Sequence, residues 1–204
     1  MRCTRAPHHE KVEPVPKKLI IGPARKRNLP ALAGHDRSHL GLLHERWKRV
    51  GEGKGDLVVA TLKGRPIGQI YLWRQQADED DVREQLPGVP LIMNLWVHRN
   101  FRRRGVGTAL VEYAEERLRR LGHRTVALAV EEENGYAREF YIGLGYLDWG
   151  LGKLKTHRDE FDGDRPLSWE VCDVLVKDLI DPSVREGDRG DCHRLLAVAT
   201  TVGG

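Results

Sequence analysis

The residues with the most evident chemical purpose are Arg102-Arg103-Arg104-Gly105-Val106-Gly107-Thr108. They stand between an apolar run ending at Val97 and a segment whose apolar residues recur at helical spacing. Two glycines one residue apart let the backbone approach a ligand with no Cβ in the way. The first N–H groups of a helix have no partner inside it, and the helix dipole favours an anion there. The arginines add charge and the planar fork that matches a phosphate. Together these features describe a phosphate or pyrophosphate cradle. Two other cradles are excluded: no Gly-Lys-Ser/Thr follows, as a Walker loop needs, and the third glycine of the dinucleotide fingerprint is missing. Alone, the pattern fits equally a glycine-rich turn beside a solvated basic patch.

The elements that must hold this loop follow from periodicity. Lys18 to Gly22 reads as a short strand, and helical patterning runs through 28–33 and 38–50 with a break at Gly34. Asp56 to Leu62 and Ile67 to Trp73 form a hairpin about the turn Gly64-Arg65-Pro66. An acidic loop with Asp78-Glu79-Asp80-Asp81 leads to a strand over Leu91 to Val97. From Gly105 to Leu121 a helix presents Val106, Leu110, Tyr113, Ala114, Leu118 and Leu121 on one face. Its other face pairs Glu115 with Arg119 and Glu116 with Arg120. Thr125 to Val130 is a strand, and Asn134 caps a short helix reaching Leu144. Gly145 to Trp149 starts another strand, and Trp169 to Leu179 is the last. This order predicts a mixed α/β domain over 17–180, with a right-handed crossover joining 91–97 to 125–130. Residues 1–16, rich in proline and basic charge, are expected to be a flexible arm, and 181–204 a disordered tail.

Two blocks carry a family resemblance. Leu95-Trp96-Val97-His98-Arg99-Asn100-Phe101-Arg102-Arg103-Arg104-Gly105-Val106-Gly107-Thr108-Ala109-Leu110 resembles the acyl-CoA signature of the GNAT superfamily of N-acetyltransferases. Arg102, Gly105 and Gly107 match its Arg/Gln-x-x-Gly-x-Gly/Ala core, with Arg99 where the family often has proline. Asn134-Gly135-Tyr136-Ala137-Arg138-Glu139-Phe140-Tyr141-Ile142-Gly143-Leu144-Gly145-Tyr146 is similar to the family's Asn-x-x-Ala-x-x-Phe/Leu-Tyr-x-x-x-Gly-Phe/Tyr.

The resemblance implies a central mixed sheet of about six or seven strands flanked by helices, splayed between two parallel strands. It implies acetyl-CoA as co-substrate and direct transfer of an acetyl group to an amine on a small molecule or peptide. Backbone groups from Arg102 to Thr108, including Arg103, Arg104, Gly105, Val106 and Gly107, would hold the pyrophosphate. Leu95 and Val97 would pair with the pantetheine arm as an added strand does, and Asn134 and Ala137 would flank that arm. Tyr141, a phenol with an ordinary pKa near ~10, would protonate the departing thiolate as general acid; packing at the helix base is the competing reading. The strand over 91–97 lacks the glutamate that some relatives use as base. Glu131 is then one candidate and a water chain another. Trp73, Asp80 and Trp149 are candidates for lining the acceptor site.

Composition narrows the setting. The chain has 204 residues, 40% hydrophobic and 31% charged, which suits one core. No apolar run approaches the ~20 residues of a membrane span, and Met1 to Glu10 lacks the apolar stretch of a signal peptide. Cys3, Cys172 and Cys192 are too scattered to pair as metal ligands and read as thiols of a reducing cytoplasm. The net charge of +4 comes from a basic front end with no aromatics before Trp47, so a nucleic-acid stacking platform is not supported there. In the fold that the resemblance implies, the acid-bearing segments at 78–84 and 159–164 would frame the acceptor site and favour a cationic amine; two merely solvated loops are the competing reading. Two other readings stand beside the transferase: a non-catalytic acyl-CoA sensor, and a transferase using another acyl donor such as aminoacyl-tRNA. The composition admits a homodimer.

Overall fold

The computed structural model describes residues 15–34, 37–157, 161–162, 165–166 and 169–180. All of the expected arm except Val15 and Pro16, and the whole of the expected tail, lie outside the described residues. A seven-stranded sheet runs in the order β1-β2-β3-β4-β5-β9-β6. Its strands are β1 (Leu19–Pro23), β2 (Gly55–Leu62), β3 (Arg65–Trp73), β4 (Leu91–Val97), β5 (Thr125–Glu131), β6 (Leu147–His157) and β9 (Trp169–Asp178). The short pair β7 (Phe161–Asp162) and β8 (Arg165–Pro166) stands apart. Among the described residues five α-helices accompany them: α1 (Leu29–Ala33), α2 (Arg37–Gly51), α3 (Asp80–Gln85), α4 (Val106–Arg120) and α5 (Gly135–Gly143).

Every strand pairing is antiparallel except β4 with β5. Alternation along the strands divides the core by face. Val58, Ala60, Ile70, Leu72 and Ile92 pack against Val106, Leu110, Val111, Ala114 and Leu118 of α4. Their neighbours Leu57, Val59 and Tyr71 pack on the opposite face against Leu29, Leu32 and Leu43 of α1 and α2. A third cluster joins Val82 of α3 to Leu154 of β6 and Val174 of β9.

Three local expectations change. The hairpin turn sits at Lys63-Gly64, where φ is 50° and 76°, so Arg65 and Pro66 already belong to β3. Two positive φ values match the right-handed twist of the flanking strands, as a two-residue hairpin requires. The acidic stretch is only partly loop, because Asp80 and Asp81 occupy the first turn of α3, where the helix dipole favours carboxylates. Glu115, expected on the solvated face of α4, is buried. Lys177 of β9 donates to both of its carboxylate oxygens at 2.8 Å, and Arg119 lies 3.3 Å away. A paired carboxylate can be buried where a lone one could not.

Candidate active site

The site begins with a defect in β4. Gln69 pairs with Trp96 and Tyr71 with Met93, so Asn94 and Leu95 together oppose the single residue Ile70. Asn94 takes φ 48° in this bulge, a left-handed position that asparagine tolerates better than most residues. With the Asn94 amide turned so that its oxygen faces α2, the guanidinium of buried Arg46 donates to it. A bulge bends its strand. The effect is visible in the next pairing: β4 and β5 share the single register pair Leu91↔Ala127, supported by Ala127 N donating to Pro90 O at 3.0 Å. Beyond that point they diverge around a cleft of about 660 Å³ lined by Ile92 and Asn94–Val97 on one side and Leu128–Glu131 on the other.

The divergence leaves one edge of β4 open. His98 N donates to Ile67 O of β3 at 2.8 Å. Strand alternation then turns the backbone of Val97 and Leu95 towards the gap. The Val97 carbonyl accepts from Arg102 Nε at 2.9 Å, which folds the loop after β4 back over the end of the strand. Arg103 at φ 61° and Gly105 at φ 70° then reverse the chain into α4. A side chain on Gly105 would be strained by that angle and would meet Val15 at 2.8 Å. Gly105 caps α4 without a side-chain acceptor, and the first helical bond runs from Ala109 N to Gly105 O at 3.0 Å. The N–H groups of Val106, Gly107 and Thr108 therefore precede the helical ladder, as an anion site requires.

Helix α5 closes the cleft. Asn134 Oδ1 accepts from Ala137 N at 3.1 Å, so this residue is the N-cap. Asn134, Ala137 and Tyr141 fall along one stripe and all line the cleft. Tyr141 is buried, its ring edge-on to Phe140 at 5.1 Å and to Tyr146 at 5.4 Å. Burial pushes its phenol pKa well above the ordinary tyrosine range. Arg138 of α5 reaches Asp173 of β9 at 3.1 Å, and Lys153 of β6 donates to the same carboxylate at 2.5 Å. These contacts tie α5 to the sheet.

One cleft thus brings together Leu95, Val97, Arg102, Arg103, Gly105, Gly107, Thr108, Glu131, Asn134, Ala137 and Tyr141. Arg104 is exposed outside its lining, and Val106 is buried in the core beneath. The three acceptor-side candidates lie elsewhere. Trp73 donates to Gln76 O at 2.9 Å, with Arg49 over its ring at 5.0 Å. Trp149 donates to Gly152 O at 2.7 Å and packs on the α3 cluster. Asp80 is exposed and paired with Arg83, both within α3.

From the acidic stretch it is Glu79 that turns inward, its Oε1 accepting from Thr156 Oγ1 at 2.5 Å. Glu170 of β9, which no sequence pattern singles out, lines the cleft together with Glu131. The register pair Glu131↔Cys172 places both carboxylates on one face, because Glu170 lies two residues from Cys172. Burial, followed by Glu170, Glu131 and Glu79, pushes the Cys172 thiol up to about 12. Of the second acidic segment, Asp159, Glu160 and Asp164 lie outside the described residues. Among the described residues, no group of three or more His, Cys, Asp or Glu is arranged to hold a metal ion, and no helix is long and apolar enough to cross a membrane.

The fold is thus a mixed sheet split between two parallel strands, with an uncapped helix at the mouth of the split. The chain belongs to the acetyltransferase (GNAT) family, whose sequence profile matches residues 25–146. It is 35% identical over 91 residues to an uncharacterised N-acetyltransferase of Methanocaldococcus jannaschii, covering 43% of this chain and 37% of that relative. The chain thus matches well under half of that relative's length. Among solved structures, an N-acetyltransferase from Staphylococcus aureus superposes with TM-score 0.59 at 14% identity, over 79% of this chain and 99% of the other. A ribosomal-protein-alanine N-acetyltransferase from Brucella melitensis gives 0.59 at 18% identity, over 78% and 99%. An aminoglycoside 6′-N-acetyltransferase complexed with coenzyme A gives 0.56 at 18% identity, over 79% and 98%. At these identities the likeness to the solved structures is one of fold.

Proposed function

We propose that the chain is an N-acetyltransferase that moves an acetyl group from acetyl-CoA to an amine by direct transfer. The observation that carries this reading is the single cleft joining the uncapped start of α4, the open edge of β4 and Tyr141. The residues fit the co-substrate. The N–H groups of Val106, Gly107 and Thr108 and the Arg102 and Arg103 side chains suit a pyrophosphate. The backbone of Leu95 and Val97 suits an extended amide-bearing arm, with Asn134 and Ala137 on its far side. The co-substrate supplies a thioester carbonyl for the amine to attack.

The chain's own residues divide the remaining work. An N–H on the open edge of β4 polarises that carbonyl, and the cleft holds two reactants together, which removes much of the entropic barrier. Tyr141 keeps its proton at any physiological pH and donates a hydrogen bond to the departing sulfur. Its raised pKa makes full transfer to an ordinary thiolate uphill, so this role is donor first and acid second. Glu131, directly or through water, takes the proton that the attacking amine must lose. Glu131 and Glu170 on the cleft wall, with Glu79 beside them, favour an acceptor carrying positive charge beyond the reacting amine.

The test is thiol release from acetyl-CoA with polyamines, aminoglycosides, amino acids and N-terminal peptides as acceptors. Turnover is expected with the cationic members and is lost in Gly107→Glu, whose carboxylate enters the phosphate position. Equal CoA affinity for Gly107→Glu and wild type would refute the cradle. Binding of CoA with no amine acetylated would instead make the chain a sensor. Neutral or anionic amines as the best acceptors would refute the charge preference alone.

A further inference from the structure

The large apolar side chains exposed among the described residues include a single one in the cleft wall, Tyr136, which is 67% exposed. The fold does not explain it, because Tyr136 lies in the first turn of α5 outside every core cluster. Its place on the helix is informative. Residues four apart share a stripe, so Tyr136 lies above Phe140. The Phe140 ring stands 3.5 Å from where a Cβ on Gly107 would be, so this stripe faces the start of α4. The neighbouring stripe of Asn134, Ala137 and Tyr141 runs along the inner cleft instead. Exposure rises from buried Tyr141 through half-buried Phe140 to Tyr136, which sets Tyr136 at the open end of the phosphate site. Arg103 lines the same cleft.

We infer that Tyr136 is the stacking platform for the adenine of CoA, an inference resting on the acetyl-CoA reading above. A ligand whose pyrophosphate sits on the N–H groups of α4 and whose arm runs inward along β4 must send its nucleotide outward. An exposed phenol ring beside that exit offers the flat, half-apolar surface on which a purine stacks. Its exposed position keeps the platform ready at little conformational cost, since a tyrosine has only two side-chain torsions to order.

The test compares two probes by calorimetry on the full chain: CoA, and 4′-phosphopantetheine, which ends before the nucleotide. Tyr136→Ala should raise the Kd for CoA about tenfold, the scale of one lost base–aromatic contact, and leave the Kd for 4′-phosphopantetheine within about twofold. Tyr136→Trp should hold CoA as tightly as wild type or more so. Equal losses for both probes would place Tyr136 on the arm or in the fold, and no loss for either would make it a bystander. Either result overturns the inference while wild-type CoA binding leaves the underlying reading intact. Failure of the wild type to bind CoA at all overturns both.

Discussion

At the scale of the residue, Tyr141 shows how environment sets chemistry. A phenol in water releases its proton near pH ~10; the same phenol packed between Phe140 and Tyr146 holds it further. A protonated hydroxyl at a departing sulfur would stabilise charge as it develops, and removing one such donor costs about 10²–10³-fold. Tyr141→Phe keeps the ring and removes only the donor. It should lower kcat towards that range while the Kd for acetyl-CoA barely moves. The pH profile is a second readout: with its pKa raised, Tyr141 should produce no basic limb between pH 6 and about 10. An unchanged kcat with chemistry rate-limiting would assign Tyr141 to packing.

Among the elements, α4 does two jobs that pull on different parts of its sequence. On the proposed function its first turn stays uncapped and glycine-lined to receive an anion, so little there stabilises the helix. Its last turns supply the anchor through Glu115, Lys177 and Arg119, which join α4 to β9. Removing one partner of a buried pair leaves a charge behind without its counter-ion. Lys177→Met should destabilise the protein by about 3 kcal/mol, the low end of the usual range because Arg119 remains. The double variant Glu115→Leu with Lys177→Met should recover most of that loss. Urea unfolding of Lys177→Met, Glu115→Leu and the double variant checks both statements, and an additive double variant would show that the pair is not coupled.

Across the whole molecule, burial of neutral acids gives stability a direction in pH. The Cys172 thiol is raised to about 12 by burial and by Glu170, Glu131 and Glu79, and burial also raises Tyr71, Tyr141 and Tyr146. Each folded pKa lies above its unfolded value. Above pH ~9 the unfolded chain therefore loses protons that the folded chain keeps, and stability falls as pH rises. The melting temperature should decline from about pH 9 upward, first through Cys172 and then, beyond about pH 10, through the tyrosines as well. Cys172→Ala should flatten the first part of that decline whatever its effect on the absolute melting temperature. An unaltered slope between pH 9 and 10 would exonerate the thiol.

Local rules make much of this protein legible in its sequence. The apolar period of 106–118, the asparagine cap at 134 and the glycine pair at 105 and 107 each act within a few residues, so sequence spacing alone located α4, α5 and the glycine turn between β4 and α4. Only the tertiary structure decided which side chains meet across strands. Glu170 joins Glu131 because β9 pairs with β5 in one particular register, and a shift of one residue would send it to the other face. Glu79 rather than Asp80 turns inward because the helical turn of α3 commits Asp80 to Arg83 and to solvent. Trp73 and Trp149, close to strand ends in sequence, settle on carbonyls and packing outside the cleft wall. The cleft itself depends on a bulge at Asn94 that no local pattern announces. With its amide turned towards α2, Asn94 is held there by Arg46, 48 positions earlier, and by the register of β4 against β3.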